Sequence, residues 1–170
     1  MSKAFTREEN EGPDTADLPP TTSALPPGAK NYITRAGADR LREELARLLE
    51  IERPRLSALS DDGEAKRKLS ILDQRIFQLE QSLQTAEVIS HASGPTQRVT
   101  FGATVTVRDE LQEESVYRIV GVDEVDAERG WVSWLSPIAR ALINAKVGEE
   151  VRFKFPSGEQ RLKIVSVIYE

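Results

Sequence analysis

The chain has 170 residues, 39% hydrophobic and 30% charged, enough for one ordinary domain or for two small ones with linkers. It has no cysteine and one histidine, His91, which excludes disulfides, thiolate chemistry and clustered imidazole metal sites, and leaves a single base for any serine triad. The net charge is −5, and residues 1–30, 31–98 and 99–170 sum to −2, zero and −3, so no segment has the basic surplus of a phosphate-backbone binder.

A protein partner is therefore expected, and direct sequence-specific nucleic-acid binding is not. No apolar run approaches the roughly 20 residues of a membrane span, and the amino end lacks a signal-peptide stretch, so a cytoplasmic protein is expected. Residues 1–30 read as a disordered tail, with five of the nine prolines set among Thr, Ser and Gly.

Helical period begins after Tyr32-Ile33. Thr34 is a candidate N-cap, and Leu41, Leu45, Leu48/Leu49, Leu56 and Leu59 mark one face. Pro54 removes a backbone donor inside that run and predicts a kink rather than an end, because the leucine spacing resumes beyond it. Leu69, Leu72, Ile76, Leu79, Leu83 and Ala86 follow alternating spacings of three and four, a heptad seam. Only Ser60 to Glu64 separates the two runs. Residues 31–93 are thus expected to form an antiparallel helical hairpin, a coiled coil with an acidic tip.

Residues 94–98 read as a linker, beside an exposed His91. From residue 99 the period changes to two, with strands predicted around Val105/Val107, Val116–Val120, Trp131–Leu135, Val151–Phe155 and Leu162–Tyr169. A turn is expected at Pro156 to Gly158, and Ser136-Pro137 is a good N-cap and first helical residue for the segment to Ile143. The expected fold class is α+β: the hairpin, then a small antiparallel sheet with one helix over residues 99–170.

Asn31-Tyr32-Ile33-Thr34, Leu41 to Leu45, Glu52-Arg53-Pro54, Phe101-Gly102-Ala103, Tyr117 to Glu124, and Ser136 to Leu142 with Val147-Gly148 resemble the bacterial Gre transcript-cleavage factors, over about residues 31–170. The resemblance implies an FKBP-like carboxyl domain docked on RNA polymerase at the rim of its secondary channel. Asp123, Glu124, Ser136, Pro137, Arg140 and Leu142 are the expected docking residues. It further implies a hairpin pushed down the channel, where an Asp and a Glu three positions apart share an Mg²⁺ of the polymerase active site. Such a factor is a coactivator, not an enzyme, and needs no metal or cofactor of its own.

The matching pair here is Asp61 and Glu64. Around it the sequence departs from the family: Ala65-Lys66-Arg67-Lys68 follows at once, and each arm aligns about one heptad short, roughly 10 Å of helix. Three readings of the pair stand at this point: a capping box for the second helix, a cleavage pair, and an electrostatic role near the channel. The functional expectation is a polymerase-binding regulator of transcription with weak or no stimulation of transcript cleavage. One alternative is a cleavage-competent elongation factor that rescues backtracked polymerase. The other, drawn from the FKBP-like domain, is a prolyl isomerase, for which five Phe, two Trp and three Tyr supply few aromatics.

Overall fold

The computed structural model describes residues 25–59, 62–91 and 94–169. Most of the expected tail, and Asp61 of the expected tip pair, lie outside the described residues. Pro26 to Ala29 form a turn in which the Ala29 N–H donates to the Pro26 carbonyl at 3.0 Å, with Gly28 at φ +79°, a backbone state that suits glycine.

The helical region is framed by two parallel strands, β1 (Asn31–Thr34) and β2 (Ala86–Ile89). Between them run α1 (Arg35–Arg47), a wide turn over Leu48–Glu52, α2 (Arg53–Ser57) and α3 (Gly63–Thr85). Thr34 caps α1 as its spacing predicts: its backbone is extended and its hydroxyl accepts from Gly37 N–H at 3.0 Å. The kink expected at Pro54 is taken up one turn earlier. Leu48–Glu52 is π-helical, and the Arg53 N–H reaches back to the Leu48 carbonyl. A proline has no N–H for the carbonyl one turn behind it, and a widened turn lets the chain re-pair around that gap.

α3 runs antiparallel to α1 and α2. The Glu44 carboxylate receives Arg75 Nε and Nη2 at 2.9 and 3.0 Å, and Asp73 receives Arg53 Nε at 2.8 Å. Ile33, Ala38, Leu41, Leu48, Ile76 and Leu79 are buried between the helices, with Leu45, Leu72, Leu83 and Ala86 packed at the edges. Burying one such side chain is worth about 1.5–3 kcal/mol, so this seam is what holds the helices together. Leu49 and Leu59, also expected on it, are exposed. Adjacent residues on a helix point about 100° apart, so Leu48 takes the inner place and Leu49 cannot; Leu59 lies beyond the last turn of α2.

The rest of the chain forms a mixed six-stranded sheet in the order β3 (Gly94–Pro95), β8 (Gly158–Tyr169), β4 (Thr104–Arg108), β5 (Glu114–Val120) and β6 (Trp131–Ser133), with β7 (Glu150–Phe155) paired to the first half of β8. The expectation of an antiparallel sheet needs correction at one edge: β6 runs parallel to β5, because the chain crosses over through residues 121–130 before re-entering the sheet. The segment 94–98, expected as a linker, is also paired. Gly94 and Pro95 lie against Tyr169 and Ile168, and Arg98 bridges to Lys146. The strand expected over Trp131–Leu135 stops at Ser133.

α4 (Pro137–Leu142) closes one face of the sheet. Ile138, Ala139 and Leu142 join Val99, Val105, Val107, Ile119, Ile164 and Val167 in the core. β1 joins the two regions by its alternation. Ile33 enters the helical core, while Tyr32 faces the sheet side, its ring 5.7 Å from Phe101 and 4.9 Å from Trp134. No helix among the described residues is long and apolar enough to cross a membrane.

Candidate functional site

Two acidic positions bear on function, at opposite ends of the helical arm. At the far end the Leu59 carbonyl accepts from Asp62 N–H at 3.1 Å, and Asp62, with extended backbone, is the N-cap of α3. Its Oδ1 accepts from Glu64 N–H at 3.0 Å. The capping residue is thus Asp62 rather than Asp61. Of two consecutive aspartates, only the one directly before the first helical residue can turn its carboxylate onto the free N–H groups. Nor does Glu64 close a reciprocal capping box through its side chain. It turns along the helix to Lys68 Nζ at 2.6 Å, an i,i+4 ion pair.

Mg²⁺ takes oxygen ligands at about 2.1 Å in near-octahedral geometry. The two described tip carboxylates are engaged separately, one with a helix N–H and the other with an ammonium, and Lys66, Arg67 and Lys68 place cations directly behind them. This donor set does not fit the ion, and no chemistry is routed through it.

At the base, Gly121 leads into a single 3-10 turn, Val122–Glu124. The Glu124 side chain is 1% exposed. Its carboxylate accepts from Thr34 N–H at 2.9 Å, Gly121 N–H at 3.0 Å, the Thr34 hydroxyl, and Arg40 Nη2 at 3.4 Å. A carboxylate removed from water needs donors of this number to remain charged. Its neighbour Asp123 accepts from the Ser82 hydroxyl near the end of α3, and the Ser82 carbonyl accepts from Asn31 Nδ2 at 3.0 Å. Arg40 also lies 5.1 Å from the centre of the Trp131 ring, within cation–π range. Nearby, hydrogen bonding and charge from Glu87 hold the Lys30 ammonium above the usual lysine pKa.

On the sheet, the Ser136 hydroxyl caps α4, accepting from Ala139 N–H at 3.3 Å, with Pro137 in the first turn. Pro137 and Arg140 are exposed, Ser136 is half-buried, and Leu142 is fully buried. A cleft of about 410 Å³ on the sheet is lined by Arg108, Asp109, Glu110, Gln112, Glu150, Arg161 and Lys163. Its charged walls do not suit the apolar ring of a proline substrate. His91, exposed as expected, stacks on Tyr169 with the rings 4.4 Å apart.

Residues 94–169 match the family model described as transcription elongation factor, GreA/GreB, C-terminal. The chain is 39% identical over 155 aligned positions to transcription elongation factor GreB of Neisseria meningitidis serogroup B, with 82% of this chain and 94% of that protein covered. The chain belongs to the GreA/GreB family of transcription elongation factors. It is also 41% identical to GreA of Alkalilimnicola ehrlichii, over 83% of this chain and 99% of that one. A solved GreA/GreB factor from Nitrosomonas europaea is 29% identical, with 82% of this chain and 100% of that one covered and a TM-score of 0.41.

In this Gre-family chain the six residues expected on a docking surface divide. Pro137 and Arg140 face solvent, and Ser136 and Asp123 are half-buried and hydrogen-bonded within the chain. Leu142 and Glu124 need correction: the first is core, and the second spends its charge inward on Thr34, Gly121 and Arg40. Sequence reasoning misses the other half of that contact, Thr34 and Ser82, and misses Asp62 as the cap. One signal is present for Glu124. It follows the apolar run Ile119-Val120-Gly121-Val122, where a carboxylate is out of place unless something buried meets it.

Proposed function

We propose that this chain binds RNA polymerase at the secondary channel through an FKBP-like sheet domain and sends its helices into the channel as a shortened coiled-coil arm. It acts there as a regulator that stimulates transcript cleavage weakly or not at all. It is a polymerase cofactor rather than an enzyme, and Pro137 and Arg140 on α4 are the docking side chains free to meet a partner.

The observation that carries this reading is the tip, where Asp62 is used as a cap and Glu64 is neutralised by Lys68. Arm length supports it as well. The 155 positions aligned with the Neisseria relative hold 82% of this chain, about 139 residues, so about 16 positions have no residue here, close to two heptads. At about 1.5 Å per residue, one heptad lost from each arm withdraws the tip by roughly 10 Å, more than side-chain rotation recovers.

The test is an elongation complex stalled in a backtracked state, followed for RNA 3′-end cleavage with and without the protein, beside a direct binding measurement. Binding with little cleavage is expected, as is a gain of cleavage when one heptad is inserted in each arm in register with the leucine seam. Strong cleavage by the parent protein that disappears in Asp61→Ala would promote the cleavage-competent reading.

A further inference from the structure

We propose that the Val122–Glu124 turn aims the arm: Glu124 grips the start of α1, Asp123 grips the end of α3, and together these two positioning residues set the direction in which the helices leave the sheet domain. The inference rests on the reading that the arm works inside the polymerase, and it reassigns two residues first expected to touch the polymerase.

Apolar contact alone does not fix this direction. Tyr32 against Phe101 and Trp134 keeps β1 on the sheet, but such contacts are non-directional and tolerate rotation. Hydrogen bonds do not. Thr34 is at once the last residue of β1 and the cap of α1, and Glu124 takes both its N–H and its hydroxyl. A rotation of α1 about its base must break that contact.

The surrounding backbone leaves no alternative seat. A Cβ on Gly37 would lie 2.0 Å from Glu124 Oε1, and one on Gly121 would lie 2.3 Å from the Tyr32 carbonyl oxygen. Both glycines are there because the turn and the arm approach within backbone distance. On the other helix, Asp123 holds Ser82, whose carbonyl is tied to Asn31 of β1. Each helix of the arm therefore has its own carboxylate. The 23 residues of α3 span about 34 Å, so a swing of about 10° at the base moves the tip by about 6 Å.

The chain has no cysteine, so labels introduced at Lys66→Cys on the arm and Glu113→Cys on the sheet report this angle by pulsed electron spin resonance on the free protein. The parent and Thr34→Ser, which keeps the hydroxyl, should give one narrow distance distribution. Glu124→Ala and the milder Ser82→Ala should widen it about twofold or more. Polymerase affinity should change little, while crosslinking from a photoreactive group at Lys66→Cys to the polymerase interior falls. Should Glu124→Ala fail to fold, Ser82→Ala decides the matter. Distributions as narrow as the parent's in both variants would overturn the proposal, and a narrow one joined to lost polymerase binding would return Glu124 to the docking surface. Failure of the parent to bind polymerase would refute the functional reading instead, while the label distances on the free protein would still decide whether the turn aims the arm.

Discussion

The two acidic ends of the arm are built from the same side chains and do opposite work. At the tip, Asp62 and Glu64 are exposed, and each has one partner close in sequence. At the base, Asp123 and Glu124 meet partners 41 and 90 residues away, and Glu124 has four donors around one buried carboxylate. The first arrangement stabilises a helix end. The second fixes one body against another. Burial and the number of donors, not the identity of the residue, separate the two roles.

The comparison breaks first at the base. Glu124→Ala strands the Thr34 and Gly121 N–H groups and is expected to cost about 2–4 kcal/mol in chemical denaturation. Gly37→Ala should cost a similar amount, since its Cβ enters the carboxylate. A sharper form combines them. With Glu124 already replaced by Ala the clash is gone, and Gly37→Ala should then stabilise the chain by up to about 1 kcal/mol through helix propensity. A cost that persists in that background would show that something other than Glu124 demands the glycine.

Smaller effects belong to the tip. Asp62→Ala is expected to lower stability by about 1 kcal/mol with the loss of the α3 cap, visible as a lower denaturant midpoint. Lys68→Ala, which releases only the exposed pair with Glu64, should change stability by about 0.3–0.5 kcal/mol and less in high salt. A tip effect equal to the base effect would erase the distinction.

What local spacing dictates is legible in the sequence. The Leu72-Ile76-Leu79 seam, the Thr34 cap and the Ser136-Pro137 helix start each depend on residues within a turn or two of one another, and each is present. The parallel pairing of β1 with β2 and the parallel β6 depend on where distant segments come to rest, and no short-range pattern encodes that. The choice between Asp61 and Asp62 as cap turns on a single residue, finer than composition resolves. Glu124 misleads because an acidic residue is by default a surface residue, and its donors include Thr34 and Arg40, far along the chain. The docking face remains an inference from family resemblance, with Pro137 and Arg140 as its exposed members.

The wide turn at Leu48–Glu52 bears on how such an arm can change length. It holds a residue of slack: removing one amino acid there would leave a continuous α-helix, while everything beyond it would turn by about 100° about the axis. Arg53 would swing away from Asp73 and Leu56 would leave its neighbours. Whole heptads lengthen or shorten the arm without turning it, whereas single insertions or deletions act as a screw, re-clocking the acidic end at almost constant reach. Reach and azimuth are therefore separate coordinates of this arm, one set by repeat number and the other by the phase of a single turn.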